Sequence, residues 1–499
     1  MLDAAIKSLL DYAEKWGLIE TGERAWACNV ILDALQLDEL TSSPCDKAAD
    51  GDQALHEIID VLLDDAVARG VIPDSVTHRD LLYSRILGVI TPRPGQITHS
   101  FWERYAEDPT TATDWFYAFS QNTGYIRTER TALDMKWVTQ TAYGEIDVTI
   151  NLAKPEKDPI AIAAALEAKT VGYPACPLCR ENEGYAGRIN HPGRLNHRIV
   201  PLTLAGESWF FQYSPYVYYN EHSIALNAEH VPMRIDRACF EKLIDFVTQF
   251  PHYFMGSNAD LPIVGGSILT HDHFQGGCYV FPMERAEIET PLQFPAYPSV
   301  SGGIVRWPMS VIRLTSADTE QLIEAADHIL TSWRDYSDPS AYIFAETEGV
   351  RHNTITPIAR RRGMHFELDL VLRNNITTEE FPMGLYHPHP EHHHIKRENI
   401  GLIEVMGLAV LPARLKAELS ALAQGLATGA ALRDNPLTAH HADWAETFRD
   451  RHDFSQIDPM EAVKQETGQV FVSILEQAGV YARTKEGQAA FLRFVETMQ

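Results

Sequence analysis

Two histidines and a glutamine, His271, His273 and Gln275, stand at alternate positions in the stretch Gly265-Gly266-Ser267-Ile268-Leu269-Thr270-His271-Asp272-His273-Phe274-Gln275-Gly276-Gly277. A strand sends alternate side chains to one face, so a strand from Ile268 through Gln275 puts all three on a common face. Together they can supply a nucleophile, a metal ligand or base, and a neutral hydrogen-bond donor for a phosphoryl oxygen. The glycine pairs at either end lack Cβ atoms and admit another backbone or a phosphate. A lone histidine here would read as a satisfied strand-end residue. The period-two repeat between glycine pairs turns the reading towards chemistry.

Three further groups could do chemistry. Cys176-Pro177-Leu178-Cys179 lacks the strand-helix context of a redox pair, and a tetrahedral zinc would need two more ligands, histidine or carboxylate, from elsewhere in the chain. His230 follows the strand-like Ser223 to Asn227, and a helical pattern from Phe240 to Phe250 separates it from His271. A strand-helix-strand unit of this kind lets both histidines approach the cysteine loop. The run Tyr386-His387-Pro388-His389-Pro390-Glu391-His392-His393-His394-Ile395-Lys396 is a loop because of its prolines, and metal, sugar or phosphate contact and plain solvation all stay open for it. Lys154 and Lys157 sit in a turn where solvation outweighs phosphate binding. Glu404, inside the apolar run from Asn399 to Leu415, must be paired or used.

These groups need a scaffold, and the chain is long enough to build one. Its 499 residues imply two or three structural units. Residues 1–90 read as helical, from apolar positions such as Ile6, Leu9, Ile58, Leu62 and Val67 at three- and four-residue spacing. Residues 91–140 connect, beginning with Thr91-Pro92-Arg93-Pro94-Gly95. A catalytic unit is expected over 141–298, from the alternating strand Tyr143 to Asn151 to the proline-rich Thr290 to Pro298, a plausible boundary. A second unit, 299–415, has strand patterns at Val305 to Leu314, Ala341 to Glu346 and His365 to Leu372 around a helix from Glu320 to Trp333. There too a helix precedes a strand with alternating polar residues, Glu367 and Asp369, which implies an internal duplication whose second copy lost the nucleophile. Residues 416–499 return to acidic helices.

A net charge of −26 and a pI near 5.2 argue against general nucleic-acid binding. A small anionic substrate remains compatible, since local donors matter more than net charge. The N-terminus lacks a signal-peptide pattern and no stretch approaches a membrane span. Six cysteines are too few for a disulfide framework, so the expected compartment is the cytoplasm. Cys28, Cys45, Cys239 and Cys278 read as ordinary thiols.

The His271 to Gly277 motif, preceded by Gly256-Ser257-Asn258-Ala259-Asp260-Leu261-Pro262 and followed by His352-Asn353-Thr354-Ile355-Thr356-Pro357 and by Ile395 to Leu411, resembles the second class of galactose-1-phosphate uridylyltransferases, from Gram-positive bacteria. The likeness runs from about Thr91 to Arg414. It implies an α+β fold of two antiparallel sheet/helix halves, similar to the histidine triad superfamily, the second half degenerate, with helical additions at both ends. It also implies transfer of UMP from UDP-glucose to galactose 1-phosphate, giving UDP-galactose and glucose 1-phosphate. Carried over by the resemblance, His273 is the nucleophile and Gln275 the donor to the phosphoryl oxygens. Cys176, Cys179, His230 and His271 become the ligands of a structural zinc, and Asn220, Glu221, Asn258, Gly266, Ser267 and Glu404 the substrate contacts.

The chain departs from the first class in three places. Asp272 stands between the histidines instead of proline, and Ile268 where a phosphate-binding serine is expected, with Ser267 as a shifted substitute. Glu367-x-Asp369 replaces a second metal-binding His-x-His, which leaves one implied metal site. The partners implied are UDP-sugars and hexose 1-phosphates, with neither nucleic acid nor membrane, and the resemblance is compatible with a homodimer. Two other readings compete: a UTP-using hexose-1-phosphate uridylyltransferase or nucleotide hydrolase on the same fold, and a zinc-stabilised binding protein without turnover.

Overall fold

The alternation of apolar and polar side chains becomes strands wherever one face can be buried. In the computed structural model, which describes residues 2–41, 43, 46–47, 53–152, 171–454 and 456–498, these are β1 (Met135–Thr141), β2 (Gly144–Ile150), β3 (Val200–Leu204), β4 (Glu207–Tyr213), β5 (Ser223–Asn227), β6 (Phe254–Gly256), β7 (His273–Gly277), β8 (Ile288–Leu292), β9 (Ser301–Val305), β10 (Val311–Ser316), β11 (Glu346–Thr347), β12 (Val350–Arg351), β13 (Asn353–Arg362), β14 (His365–Asn374) and β15 (Leu408–Leu411). Lys154, Lys157 and Cys45 lie outside the described residues.

Ten strands form one sheet in the order β3-β4-β5-β7-β6-β13-β14-β10-β9-β8, and β15 extends β1-β2 into a separate small sheet. The large sheet is antiparallel throughout. Its order carries a duplication. In the first half, three strands, the helix Arg237–Gln249 and two more strands are laid 1-2-3-5-4. The second half, around the helix Thr319–Asp335, is laid the same way and read backwards from the β6/β13 junction. The architecture is α+β, and β7 and β14 are counterparts in its two halves.

Register assigns the two faces of this sheet. Cross-strand partners share a face, and the row Ile224–Gln275–Gly256–Ile358–Asp369–Arg313 runs through both halves. On the other face Ala225, Phe274, Met255, Ala359, Leu368 and Ile312 join a core shared with the N-terminal helices and the two crossover helices. The face carrying Gln275 is covered in part by a second core, where Phe254, Ile358, Val371 and Val311 meet Ile146 and Val148 of β2 and the helices Leu415–Thr428 and Pro459–Ala478. His273 and Gln275, and likewise Glu367 and Asp369, point away from the face covered by the N-terminal and crossover helices.

The N-terminal region is helical, as its periodicity predicts, with helices Leu2–Lys15, Arg24–Leu35, Leu55–Ala68 and Val76–Ile90. Pro94 and Pro109 each open a helix, where a missing N–H costs nothing. The aromatic-dense stretch after Phe101 proves to be core: the Phe101 ring lies 5.8 Å from Phe116 and 6.2 Å from Phe211 of β4. Four sequence expectations shift. The strand expected from Ile268 begins only at His273, and Gly265–Asp272 is irregular. Val305 to Leu314 is two strands, β9 and β10, and Ala341 to Glu346 is largely a turn after a short helix capped by Asp338. Thr290 to Pro298, read as a boundary, begins inside edge strand β8, where Pro291 is tolerated.

Candidate active site and metal centre

The backbone before β7 is held by the last residue of β5 and the loop that follows it, not by a continued strand ladder. Asp272 N donates to Val231 O (2.7 Å), Asn227 N to Asp272 O (3.0 Å) and Met233 N to Leu269 O (2.9 Å). Those bonds replace the sheet ladder expected for Ile268 to Asp272, and they lay His271 beside His230, with ring centroids 4.8 Å apart. His271 thus faces a different neighbourhood from His273.

The His271 Nε2–H donates to Asn227 O (2.9 Å), leaving Nδ1 3.2 Å from Cys176 Sγ and 3.7 Å from Cys179 Sγ. The two sulfurs are 3.5 Å apart and His230 Nδ1 is 3.1 Å from Cys179 Sγ. Bonds of about 2.3 Å to sulfur and about 2.0 Å to nitrogen around a tetrahedral ion put ligand atoms roughly 3.3–3.8 Å apart, so the set fits a metal of zinc's size and preference. All four ligand atoms lie within 4.8 Å of one another. Burial pushes the Cys179 thiol up to about 11, so without a cation its sulfur keeps its proton at neutral pH. The backbone carbonyl behind His271 fixes its tautomer, a common support for a metal-binding imidazole.

His273 is 6 % exposed. Its Nδ1–H donates to His271 O at 2.7 Å, which places the ring's lone pair on Nε2. Burial, only partly opposed by that hydrogen bond, pushes the imidazole down to about 4, so it is neutral at pH 7. Gln275, two residues along the same strand, accepts at Oε1 from His222 Nε2 at 3.0 Å, and its amide NH2 remains to donate.

The glycines have a settled use. A Cβ on Gly265 would meet Ala259 O at 2.4 Å, on Gly276 Phe254 O at 2.4 Å, and on Gly277 Glu221 O at 2.6 Å. Of the two uses anticipated for them, these three serve the close approach of this chain's own backbone. Gly266 lies against Asn258, whose Nδ2 would be 2.9 Å from an added Cβ. Asn258 Oδ1 accepts from Leu402 N (2.9 Å), so Gly266, Asn258 and the short helix Leu402–Val405 meet. Ser267 is exposed. Glu404, on that helix, is engaged by Lys396 Nζ (3.0 Å) and by Gly401 N (3.2 Å). Asn220 Nδ2 donates to Glu221 Oε1 (2.9 Å), and Tyr253 OH donates to Glu221 Oε2. Glu221 itself has φ +54°, a conformation costly for a residue with a side chain, and burial raises its carboxyl.

Two other clusters are closed. On β14, Arg313 grips Asp369 through Nε (2.6 Å) and Nη2 (2.9 Å), while Arg360 bonds both Glu367 and Asp369. The Glu367-x-Asp369 pair is occupied by arginines, not open to a metal. Glu418, His440 and His441 also gather, with His441 Nε2 3.1 Å and His440 Nε2 3.3 Å from Glu418 Oε2, but Arg414 bonds that same oxygen. The residues missed from sequence are His222, Arg313 and Arg360. Each acts across a strand pairing, and no local spacing marks it.

Comparison with known proteins accords with this geometry. Residues 48–232 match the family model described as galactose-1-phosphate uridyl transferase, N-terminal domain, and residues 246–446 match the C-terminal domain of the same name. The chain is 49 % identical over 500 residues to the galactose-1-phosphate uridylyltransferase of Halalkalibacterium halodurans, covering 99 % of this chain and 98 % of that protein. It is 49 % identical to the Bacillus subtilis protein of that name (99 % and 97 % covered) and 52 % identical over 444 residues to one from Streptococcus pneumoniae (89 % of each). Among solved structures it is similar to yeast Ap4A phosphorylase Apa2 at 12 % identity, with a TM-score of 0.34 over 66 % of this chain and 91 % of that one, too distant a likeness to carry weight. The chain belongs to the galactose-1-phosphate uridylyltransferase family. It is a transferase, and among the described residues no helix is long and apolar enough to cross a membrane.

Proposed function

We propose that the protein moves UMP from UDP-glucose to galactose 1-phosphate through a uridylyl adduct on His273, in the cytoplasm. The observation that carries this reading is the orientation of His273, whose Nδ1–H is committed to the His271 carbonyl and whose Nε2 lone pair is left to attack. In the first displacement Nε2 bonds to the α-phosphorus of UDP-glucose and the bond to glucose 1-phosphate breaks, the leaving group taking the electron pair. No proton has to move: the Nδ1–H stays in place, and the His271 carbonyl meets the positive charge that develops on the ring. In the second, a phosphate oxygen of galactose 1-phosphate attacks the same phosphorus and the P–N bond breaks. The leaving groups are sugar phosphates, so positioning and neutral donation by Gln275 suffice in place of strong acid catalysis.

Cys176, Cys179, His230 and His271 hold zinc in this reading. The ion's part is structural: it ties the cysteine loop to the segment that ends in His273. Asn220 and Glu221 are assigned to the ribose, Asn258, Gly266 and Ser267 to the nucleotide and phosphates, and Glu404 to orienting that patch through Lys396. Incubation with UDP-glucose labelled in uridine, followed by intact mass, tests the reading. It predicts one UMP adduct per chain, removed by galactose 1-phosphate. Release of glucose 1-phosphate with no adduct and no acceptor would instead indicate a hydrolase. Elemental analysis of protein purified without chelator is expected to give about one zinc per chain, and active protein without tightly held metal overturns the zinc assignment.

A further inference from the structure

Gln275 can serve as a donor only if its amide presents NH2, not the carbonyl oxygen, to the substrate phosphate. The two orientations differ by a half-turn of a planar group, and nothing in an isolated glutamine chooses between them. We propose that His222 makes this choice: it is a positioning residue whose Nε2–H holds the Gln275 oxygen and so aims the NH2 at the phosphoryl oxygens. The proposal rests on the uridylyl-transfer reading and deepens it.

His222 is built into its place. It immediately precedes β5, in which Ile224 pairs with Gln275 and Ser223 with Gly276, so the strand register brings its ring to the Gln275 side chain. Its own backbone is fixed at both ends, N donating to Tyr219 O (3.3 Å) and O accepting from Ser214 N (2.8 Å). The ring is 3 % exposed and lies against Tyr218 and Tyr219, with centroids 5.3 Å and 4.7 Å away. Tyr219 in turn donates its hydroxyl to Gly276 O (2.9 Å), next to Gln275 on β7. The imidazole is therefore walled in, with one edge on Gln275.

The tautomer follows from what surrounds the ring. Nδ1 is buried and has no hydrogen-bond partner, while Nε2 is 3.0 Å from Gln275 Oε1. A hydrogen on Nδ1 would bury an orphan donor, the costlier kind of unsatisfied group, and would turn the glutamine round to donate to Nε2. Its oxygen would then face the phosphate. A hydrogen on Nε2 leaves only an unpaired acceptor at Nδ1, and burial disfavours the doubly protonated ring. The neutral Nε2–H form is the one that satisfies the site.

The test is a double-mutant comparison with single-turnover formation of the His273 adduct as readout. His222→Phe keeps the ring's bulk and removes the donor. It is expected to slow adduct formation about tenfold in the native background and less than about twofold in Gln275→Ala protein, because the two groups act as a unit. His222→Gln, which can still donate, is expected to restore most of the rate, with substrate affinity little changed throughout. Equal slowing in both backgrounds, or full activity of a folded His222→Phe protein, overturns the proposal. Should the Phe variant not fold, nitrogen NMR of histidine-labelled wild-type protein decides it: the Nε2–H tautomer supports the proposal and the Nδ1–H tautomer sinks it. Failure of wild-type protein to form any adduct would count against the uridylyl-transfer reading, and the tautomer measurement would still stand on its own.

Discussion

Strands β7 and β14 occupy equivalent places in the two halves of the sheet, and each turns two polar residues to the same face. On β7 they are His273 and Gln275, neutral groups whose partners leave one functional edge free on each. On β14 they are Glu367 and Asp369, charged and closed over by Arg313 and Arg360. Though burial alone would raise a carboxyl, the two guanidinium groups hold Asp369 down at about 2. One scaffold therefore supports two outcomes. Chemistry requires side chains held firmly through one atom while another stays unspent; a half relieved of chemistry can spend every donor and acceptor on itself.

The widest separation between the halves is expected in turnover. His273→Asn should lower the rate by at least about four orders of magnitude, since the proposed mechanism has no other group to form the adduct. Asp369→Asn should leave the adduct yield per folded molecule unchanged. Steady-state assays and labelling by uridine-labelled UDP-glucose measure both. Label on the His273→Asn protein, or its loss from folded Asp369→Asn protein, would break the division of labour.

Stability should show the opposite pattern. Removing one partner from a buried ion network strands the others, at a cost of about 3–5 kcal/mol. Asp369→Asn should lose about that much in urea unfolding, because Arg313 and Arg360 are both buried around it. His273→Asn gives up a single neutral hydrogen bond, worth about 0.5–1.5 kcal/mol. A stability loss for Asp369→Asn no larger than that would mean the arginine network is not what holds the second half.

Acid separates the halves more gently. Burial keeps His197 down at about 3 and His222 at about 4, against about 6.5 for a free imidazole. Below pH 6.5 the unfolded chain takes up protons that the folded chain refuses. Each group's contribution is therefore complete above pH 6.5 and falls by about 1.4 kcal/mol per pH unit until its folded value is reached. Both lie in the first half, just ahead of β3 and β5, whereas Asp369 stays ionised far below that range. Through these two groups alone, lowering the pH from 7.5 to 5.5 should cost about 2–3 kcal/mol, and hydrogen exchange should quicken in β3–β5 before β13–β14. Uniform acceleration across the sheet would contradict this order.

How much of this was legible beforehand depended on the range of the interaction. The His-x-His-x-Gln repeat, the cysteine pair and the alternation at Glu367 and Asp369 are local signals, and the duplication could be inferred from them. His222 stands 53 positions from Gln275 and Arg313 stands 56 from Asp369, so their contacts exist only through strand register. The late start of β7 had the same origin. Ile268 and Leu269 suit a strand, but Val231 and Asn227 take up the backbone bonds around Asp272, a tertiary override that no propensity contains.

The smallest effect is expected from the histidine-rich loop, whose His-Pro-His string makes it the rival candidate for the nucleophile site. Its rings are spent within their own neighbourhood. His387 Nε2 is 3.1 Å from Asn399 Oδ1, His389 Nε2 donates to Leu385 O (3.0 Å) while its ring stacks on Phe381 at 4.2 Å, and His393 Nε2 donates to Pro388 O (2.9 Å). His394 meets His441 at 2.9 Å. The loop thus resembles β14 in satisfying its polar atoms internally, although its imidazoles do so against backbone carbonyls and an amide and not against arginines. Replacing His387 and His389 by alanine removes hydrogen bonds worth about 0.5–1.5 kcal/mol each. Uridylylation of His273 should remain intact and turnover should fall less than about tenfold. Loss of the covalent adduct in that variant, with the protein still folded, would move the nucleophile from β7 to the loop and undo the contrast between the two strands.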